Sequence, residues 1–224
     1  VVTWARACRK PSDLGFDDTG YDLPELRTTE YAIPARKTKP GYLIDPAALS
    51  LQEQREEQRR TINERCEKVA DLVNHDRPAV AWCHLNDESR ALANGIEGAV
   101  EVTGSDSEAA KEAALLAFQR GEIRVLVSKP SICGFGLNWQ HCKRMAFVGV
   151  TDSFEAYYQA VRRCWRFGQQ HPVDVHVFAS NQEGAVVQNL RRKEADARAM
   201  AESMAAETLD AVRCEVLGNM KETN

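Results

Sequence analysis

Between residues 79 and 178 the chain alternates short apolar runs with segments of helical periodicity. The runs are Ala79–Cys83 (A-V-A-W-C), Ala99–Val102, Ile123–Ser128 (I-R-V-L-V-S), Arg144–Val148 and Val173–Phe178. Between them lie a short helical stretch, Asp87–Asn94, closed by Gly95, and a longer one through Leu115, Leu116 and Phe118 that Gly121 stops. Ser105 and Glu108 stand at capping-box spacing before the longer one. Buried strands alternating with helices predict an open α/β domain, a parallel sheet with helices on both faces. Right-handed crossovers follow for each strand–helix–strand unit. Ligands of such sheets gather at the carboxyl ends of the strands, which singles out the loop after Ser128 and the loop before Phe154.

The flanks read differently. Residues 1–50 carry prolines at 11, 24, 34, 40 and 46 and glycines at 15, 20 and 41, a density that blocks long helices. They are expected to form an irregular connector, with room for a short extended piece at Leu26–Ile33. Leu51–Val73 is predicted to be one amphipathic helix whose stripe is Ile62, Cys66, Val69 and Val73. It opens the main domain, residues 51–181. From Gln182 to about Leu217 a helical extension is expected within residues 182–224. The abrupt start V-V-T-W-A reads as a fragment of a longer protein.

The net charge of −4 gives no global basic footprint of the kind a stand-alone DNA-binding domain carries, so any nucleic-acid contact is expected to be local. Seven cysteines, an odd number with no C-x-x-C spacing, read as reduced, unpaired thiols of a cytoplasmic protein. His141-Cys142 lacks partners at ligand spacing, so no metal site is expected. No apolar run approaches the roughly 18 residues that would suggest a membrane span.

The most distinctive stretch is Phe154–Gln170, F-E-A-Y-Y-Q-A-V-R-R-C-W-R-F-G-Q-Q. Set on one helix, Gln159, Arg163 and Arg166 fall at i, i+4 and i+7 and share a face, while Arg162 and Trp165 point elsewhere. Two guanidinium groups on one stripe suit an anion, because the planar fork donates paired hydrogen bonds and stays charged. Gly168 then lets the chain leave the helix. A solvated basic face is the competing reading, weighed against Tyr157, Tyr158, Trp165 and Phe167 in the same segment. A second candidate is Ser128–Gln140, S-K-P-S-I-C-G-F-G-L-N-W-Q, where Gly134 and Gly136 permit a tight turn with backbone N–H groups facing a ligand. Trp139 stands where a dinucleotide fingerprint wants its third glycine, which speaks against a nicotinamide or flavin site.

Phe154–Gln170 resembles motif VI of superfamily-2 helicases in its Swi/Snf-type form, Q-A-x-x-R-x-x-R-x-G-Q, through Gln159, Ala160, Arg163, Arg166, Gly168 and Gln169. Ser128 and Gly134-Phe135-Gly136-Leu137-Asn138 resemble motif V of the same helicases. One extra residue precedes the glycines, and Cys133 stands in place of a usual glycine. Val80–Leu85 sits where motif IV belongs, and Val102-Thr103-Gly104-Ser105 resembles the family's phosphate-touching turn. The runs K-P-S-I-C-G-F-G-L-N-W-Q-H-C and R-K-P-S-D-L-G look like a phage or prophage branch. The resemblance covers about residues 78–180 and implies a C-terminal RecA-like lobe with a P-loop NTPase-like fold. It further implies that Arg163 and Arg166 act as arginine fingers on ATP, with Gln159, Gly134 and Gly136 as further nucleotide contacts. Gly104, Ser105, Ser128, Lys129 and Asn138 would meet the DNA backbone.

No G-x-x-x-x-G-K-[ST] run and no strand-borne Asp-Glu pair occur in the chain. The resemblance therefore implies that ATP and Mg²⁺ are held by an N-terminal lobe of the same polypeptide, and that this fragment alone is inactive. A non-catalytic RecA-like binding module for nucleic acid or protein stays open beside this reading. An independent α/β enzyme is the third, without a nucleophile–base pair to support it.

Overall fold

A computed structural model describes residues 10–36, 38, 41, 46–47, 50–133, 137–149, 151 and 153–221. Six strands form one sheet: β1 Leu26–Ile33, β2 Ala79–Trp82, β3 Ala99–Val102, β4 Val125–Ser128, β5 Arg144–Val148 and β6 Val173–Ser180. Their spatial order is β1-β6-β5-β2-β4-β3, and every pairing is parallel. The helices are α1 Leu51–Arg60, α2 Ile62–Val73, α3 Asn86–Gly95, α4 Glu108–Gln119, α5 Phe154–Val161 and α6 Gly184–Lys221. This is the doubly covered parallel sheet expected from the alternation of runs. No helix among the described residues is long and apolar enough to cross a membrane.

The central strands are buried on both faces, so they read as unbroken apolar runs rather than as alternation. One face of the sheet packs Val80, Trp82, Leu126, Met145 and Phe147 with Phe118, Trp139, Tyr157 and Cys164. The other packs Ala79, Ala81, Val125, Val127 and Ala146 with Cys66, Val69 and Val73 of α2 and Leu92 of α3. Full burial of one large apolar side chain stabilises a fold by about 1.5–3 kcal/mol, so these two layers dominate the stability.

Leu26–Ile33, expected as a short extended piece, is an edge strand with those bounds that pairs with β6 over eight residues, Leu26 opposite Val173 through Ile33 opposite Ser180. The structure revises three other local expectations. Leu51–Val73 is two helices, broken at Thr61. There the Arg65 guanidinium donates to the Gln58 carbonyl, the acceptor that the Ile62 N–H would use in a continuing helix, while the Thr61 hydroxyl joins its own N–H on the Glu57 carbonyl at 2.8 Å. Helix α4 is capped by Ser107, whose Oγ accepts the Ala110 N–H at 3.2 Å. Ser105 is instead held in the preceding turn by Thr103. The third revision concerns the segment from Phe154 to Gln170 and is described with the site.

A buried ion pair braces the face covered by α2 and α3. Arg65 Nη1 lies 2.8 Å from Glu88 Oε1, and both side chains are out of water. Glu88 Oε2 also accepts the N–H groups of His84 and Leu85, which fixes the chain as it leaves β2. Gly149, with φ +76°, ends β5 directly over this pair; a Cβ there would come within 2.9 Å of Arg65 Nη1. The five described cysteines, 66, 83, 133, 142 and 164, are free; Cys8 and the Cys214 side chain lie outside the described residues.

Candidate functional site

The loop that leaves β4 and the segment that follows α5 are bound into one unit. Helix α5 starts at Ser153, whose side chain accepts the Ala156 N–H, and ends at Val161. Beyond it the ladder is mixed: Arg163 N–H donates to Ala160 C=O and Cys164 N–H to Val161 C=O, three residues back, while Trp165 N–H reaches four back to Val161 C=O at 3.0 Å. With Gln159 exposed, Arg163 buried and Arg166 half-buried, the three side chains do not share one helix face. The cause is tertiary. The Arg163 carbonyl accepts the Trp139 N–H at 3.0 Å, which takes the residue out of a helical ladder.

Arg163 is buried. Its Nη2 donates to the Cys133 carbonyl, and its guanidinium stands 5.6 Å from the centre of the Trp139 ring. Burial lowers its pKa from the ordinary guanidinium value. Arg166 is half-buried and donates from Nη1 to the Leu137 carbonyl at 3.3 Å. Gln159 is exposed and donates to Glu155 at 3.1 Å. Of the five expected nucleotide contacts, Arg163 and Arg166 converge on the loop after β4, and Gln159 does not join them. Gly134 and Gly136 lie outside the described residues.

Gln169 completes the unit. Its Nε2 donates to the carbonyls of Gln140 at 2.8 Å, Cys164 at 3.2 Å and Cys142 at 3.4 Å, and its Oε1 accepts the His171 N–H. Gln140 returns a bond from its own amide to the Phe167 carbonyl. The sequence marked Gln169 only as a motif position; its role as a staple depends on carbonyls 27 and 29 residues away.

The expected nucleic-acid contacts separate into an accessible and a buried set. Gly104 and Ser105 are exposed at the end of β3. Their turn is fixed by the Asp106 carboxylate, which accepts the Thr103 N–H at 2.7 Å and is held below the usual carboxylate range by that bond. Lys129, after β4, reaches across to the Asn86 side chain at 2.6 Å. These lie at the carboxyl ends of neighbouring strands, as expected. Ser128 is placed otherwise: it is fully buried, and its hydroxyl donates to the Val102 carbonyl at 2.9 Å, tying β4 to β3. Asn138 is half-buried, and its Oδ1 is enclosed without a partner among the described residues.

Residues 54–168 match the family described as helicase conserved C-terminal domain. Human ATP-dependent DNA helicase Q4 is 38% identical over 76 residues, 34% of this chain and 6% of that protein. Among solved structures, the C-terminal part of the Fun30 ATPase domain superposes with a TM-score of 0.51 at 14% identity, over 57% of this chain and 45% of that one. The DUF1998 helicase MrfA bound to DNA superposes with a TM-score of 0.51 at 13% identity, over 76% of this chain and 22% of that one. The chain thus spans less than half the length of each of these three.

Proposed function

The chain belongs to the helicase conserved C-terminal domain family, and from that premise we propose that it is the second lobe of an ATP-dependent DNA helicase or translocase. Residues 51–181 form the lobe, 1–50 the connector that contributes its edge strand, and 182–224 a helical extension. The six matching positions of the Swi/Snf-type motif favour that branch, and the wording around Cys133 favours a phage or prophage source. The likeness to a DNA helicase favours DNA over RNA.

The observation that carries the reading is the joint between the loop after β4 and the arginine segment. Arg166 holds the Leu137 carbonyl, while Arg163 and Gln169 fasten the same loop on either side. Lys129 stands at the start of that loop and the arginines at its far end. A nucleic-acid strand that displaces the loop displaces Arg166 with it.

The donor set fits a phosphate ligand. Arg166 commits one guanidinium nitrogen to Leu137 and keeps the rest of its fork for a triphosphate. Arg163 is enclosed, so its role is to position Arg166 and the loop. Bound ATP would supply the phosphoryl transfer that drives movement, with Mg²⁺ neutralising charge on the phosphates. Among the described residues no group of three or more His, Cys, Asp or Glu side chains is placed to hold a metal, so the Mg²⁺ ligands are assigned to an N-terminal lobe of the same polypeptide. The test is DNA-stimulated ATP hydrolysis by the two-lobe protein, with and without Arg166→Ala. Unchanged turnover in the variant overturns the assignment.

A further inference from the structure

A cleft of about 840 Å³ opens between the N-terminal segment, α5 and α6, and none of the described residues that line it belongs to the loop after β4. Three of its lining aromatics are unusually open: Tyr21 is 53% exposed, Tyr158 46% and Phe167 40%. They form two stacking platforms. Tyr21 and Phe167 meet edge to face with centroids 5.7 Å apart. Phe154 and Tyr158 lie 5.7 Å apart, and the Arg162 guanidinium continues that row, 5.8 Å from the Tyr158 ring and 5.2 Å from Trp165. Arg162 and Arg198, both on the cleft wall, form no ion pair with another described residue. Nothing in the proposed ATP or sheet-edge contacts uses these groups.

We propose that this cleft is a second nucleic-acid site, which holds an unpaired strand by stacking its bases on the two platforms. Planar aromatic and guanidinium faces are what an unstacked base requires, and they are sequence-tolerant because every base has a π face. Two separate platforms suit successive bases of a strand better than one mononucleotide. Asp22 and Glu194 also line the cleft, so it is not a strongly basic channel; stacking contributes most and Arg162 and Arg198 take about two phosphates. The inference rests on the helicase reading only in that unwinding or tracking supplies an unpaired strand.

The test uses the 224-residue chain and a twenty-nucleotide oligothymidylate carrying 5-iododeoxyuridine. After irradiation, peptide mapping is expected to place cross-links on Tyr21, Tyr158, Trp165 or Phe167. Tyr158→Ala and Phe167→Ala, both at exposed positions, are each expected to weaken binding about tenfold with unchanged thermal midpoints. The slope of log affinity against log salt is expected to be about −1.4, for two neutralised phosphates on a single strand. Cross-links confined to residues 103–105 and 129–140 overturn the proposal, as do unchanged affinities, failure to bind the oligonucleotide, or competition by AMP alone. Loss of the cleft cross-links in the two-lobe protein also overturns it, because a protein lobe then covers the cleft. The ATPase effect of Arg166→Ala is independent of all these readouts, so the helicase reading fails or stands separately.

Discussion

The Trp139 amide N–H donates to the Arg163 carbonyl at 3.0 Å, and the Arg163 guanidinium lies 5.6 Å from the Trp139 ring. This reciprocal hold turns one of two similar arginines into a fixture of the loop. Arg166, three residues on, keeps part of its fork accessible. The two arginines of the motif therefore have different expected phenotypes.

Arg166→Ala in the two-lobe protein is expected to lower kcat by at least about a hundredfold, with KM for ATP changed little, since its charge acts on the transition state. Arg166→Lys should rescue poorly because an ammonium lacks the fork. Steady-state ATPase assays at saturating DNA check both. Full turnover in either variant would count against the assignment.

Arg163→Ala is expected to behave as a structural lesion. It strips the Cys133 carbonyl of its donor and opens space beside Trp139, a cost of about 1–3 kcal/mol. Chemical denaturation of the 224-residue chain should show that loss, whereas Arg166→Ala in the same chain should unfold near wild type. Equal denaturation midpoints for Arg163→Ala and wild type would contradict the tether.

Gly149→Ala is expected to destabilise the lobe by about 2 kcal/mol or more. The residue combines a left-handed φ of +76° with a Cβ position 2.9 Å from the buried Arg65 Nη1. Gly104→Ala meets nothing within 4 Å and serves as the mild comparison. Similar denaturation curves for the two variants would show that the Arg65 contact yields.

Stability is expected to fall below about pH 6.5, the ordinary histidine value. Burial first, then Arg144, Arg77 and Arg124, holds the His75 pKa down; burial also depresses His84, His141 and His176. The sign follows from proton uptake. Above the unfolded value neither state is protonated and stability is full. As pH drops through it, the unfolded chain binds protons first and folding weakens. Urea midpoints at pH 7.5 and 5.5 check this, and His75→Gln should flatten the difference.

The 224-residue chain alone is expected to hydrolyse ATP no faster than buffer, with or without DNA, because it carries no phosphate loop. Robust Mg²⁺-dependent turnover by the pure chain would overturn the two-lobe assignment.

By itself the sequence determined the parallel sheet. Apolar runs of four or five residues separated by helical periodicity leave few other arrangements, and Ala99–Val102 and Arg144–Val148 appear with the expected bounds. It also marked the segments to which the chemistry is assigned by proposal, because the glutamine, arginine and glycine spacing is local. Tertiary structure decided what local spacing cannot express. Leu26–Ile33 was legible as an extended piece, but its place as an edge strand of the sheet was decided by pairing with β6. The helix broke at Thr61 where the Arg65 guanidinium took the Gln58 carbonyl. Ser128 was withdrawn into the core by the Val102 carbonyl. Arg163 left the shared face because Trp139, 24 residues earlier, claims its carbonyl and stacks on its guanidinium. Except at the Thr61 break, where the bonds span four and seven residues, a hydrogen-bonding group chose a partner far away in sequence, and periodicity carries no information about that choice.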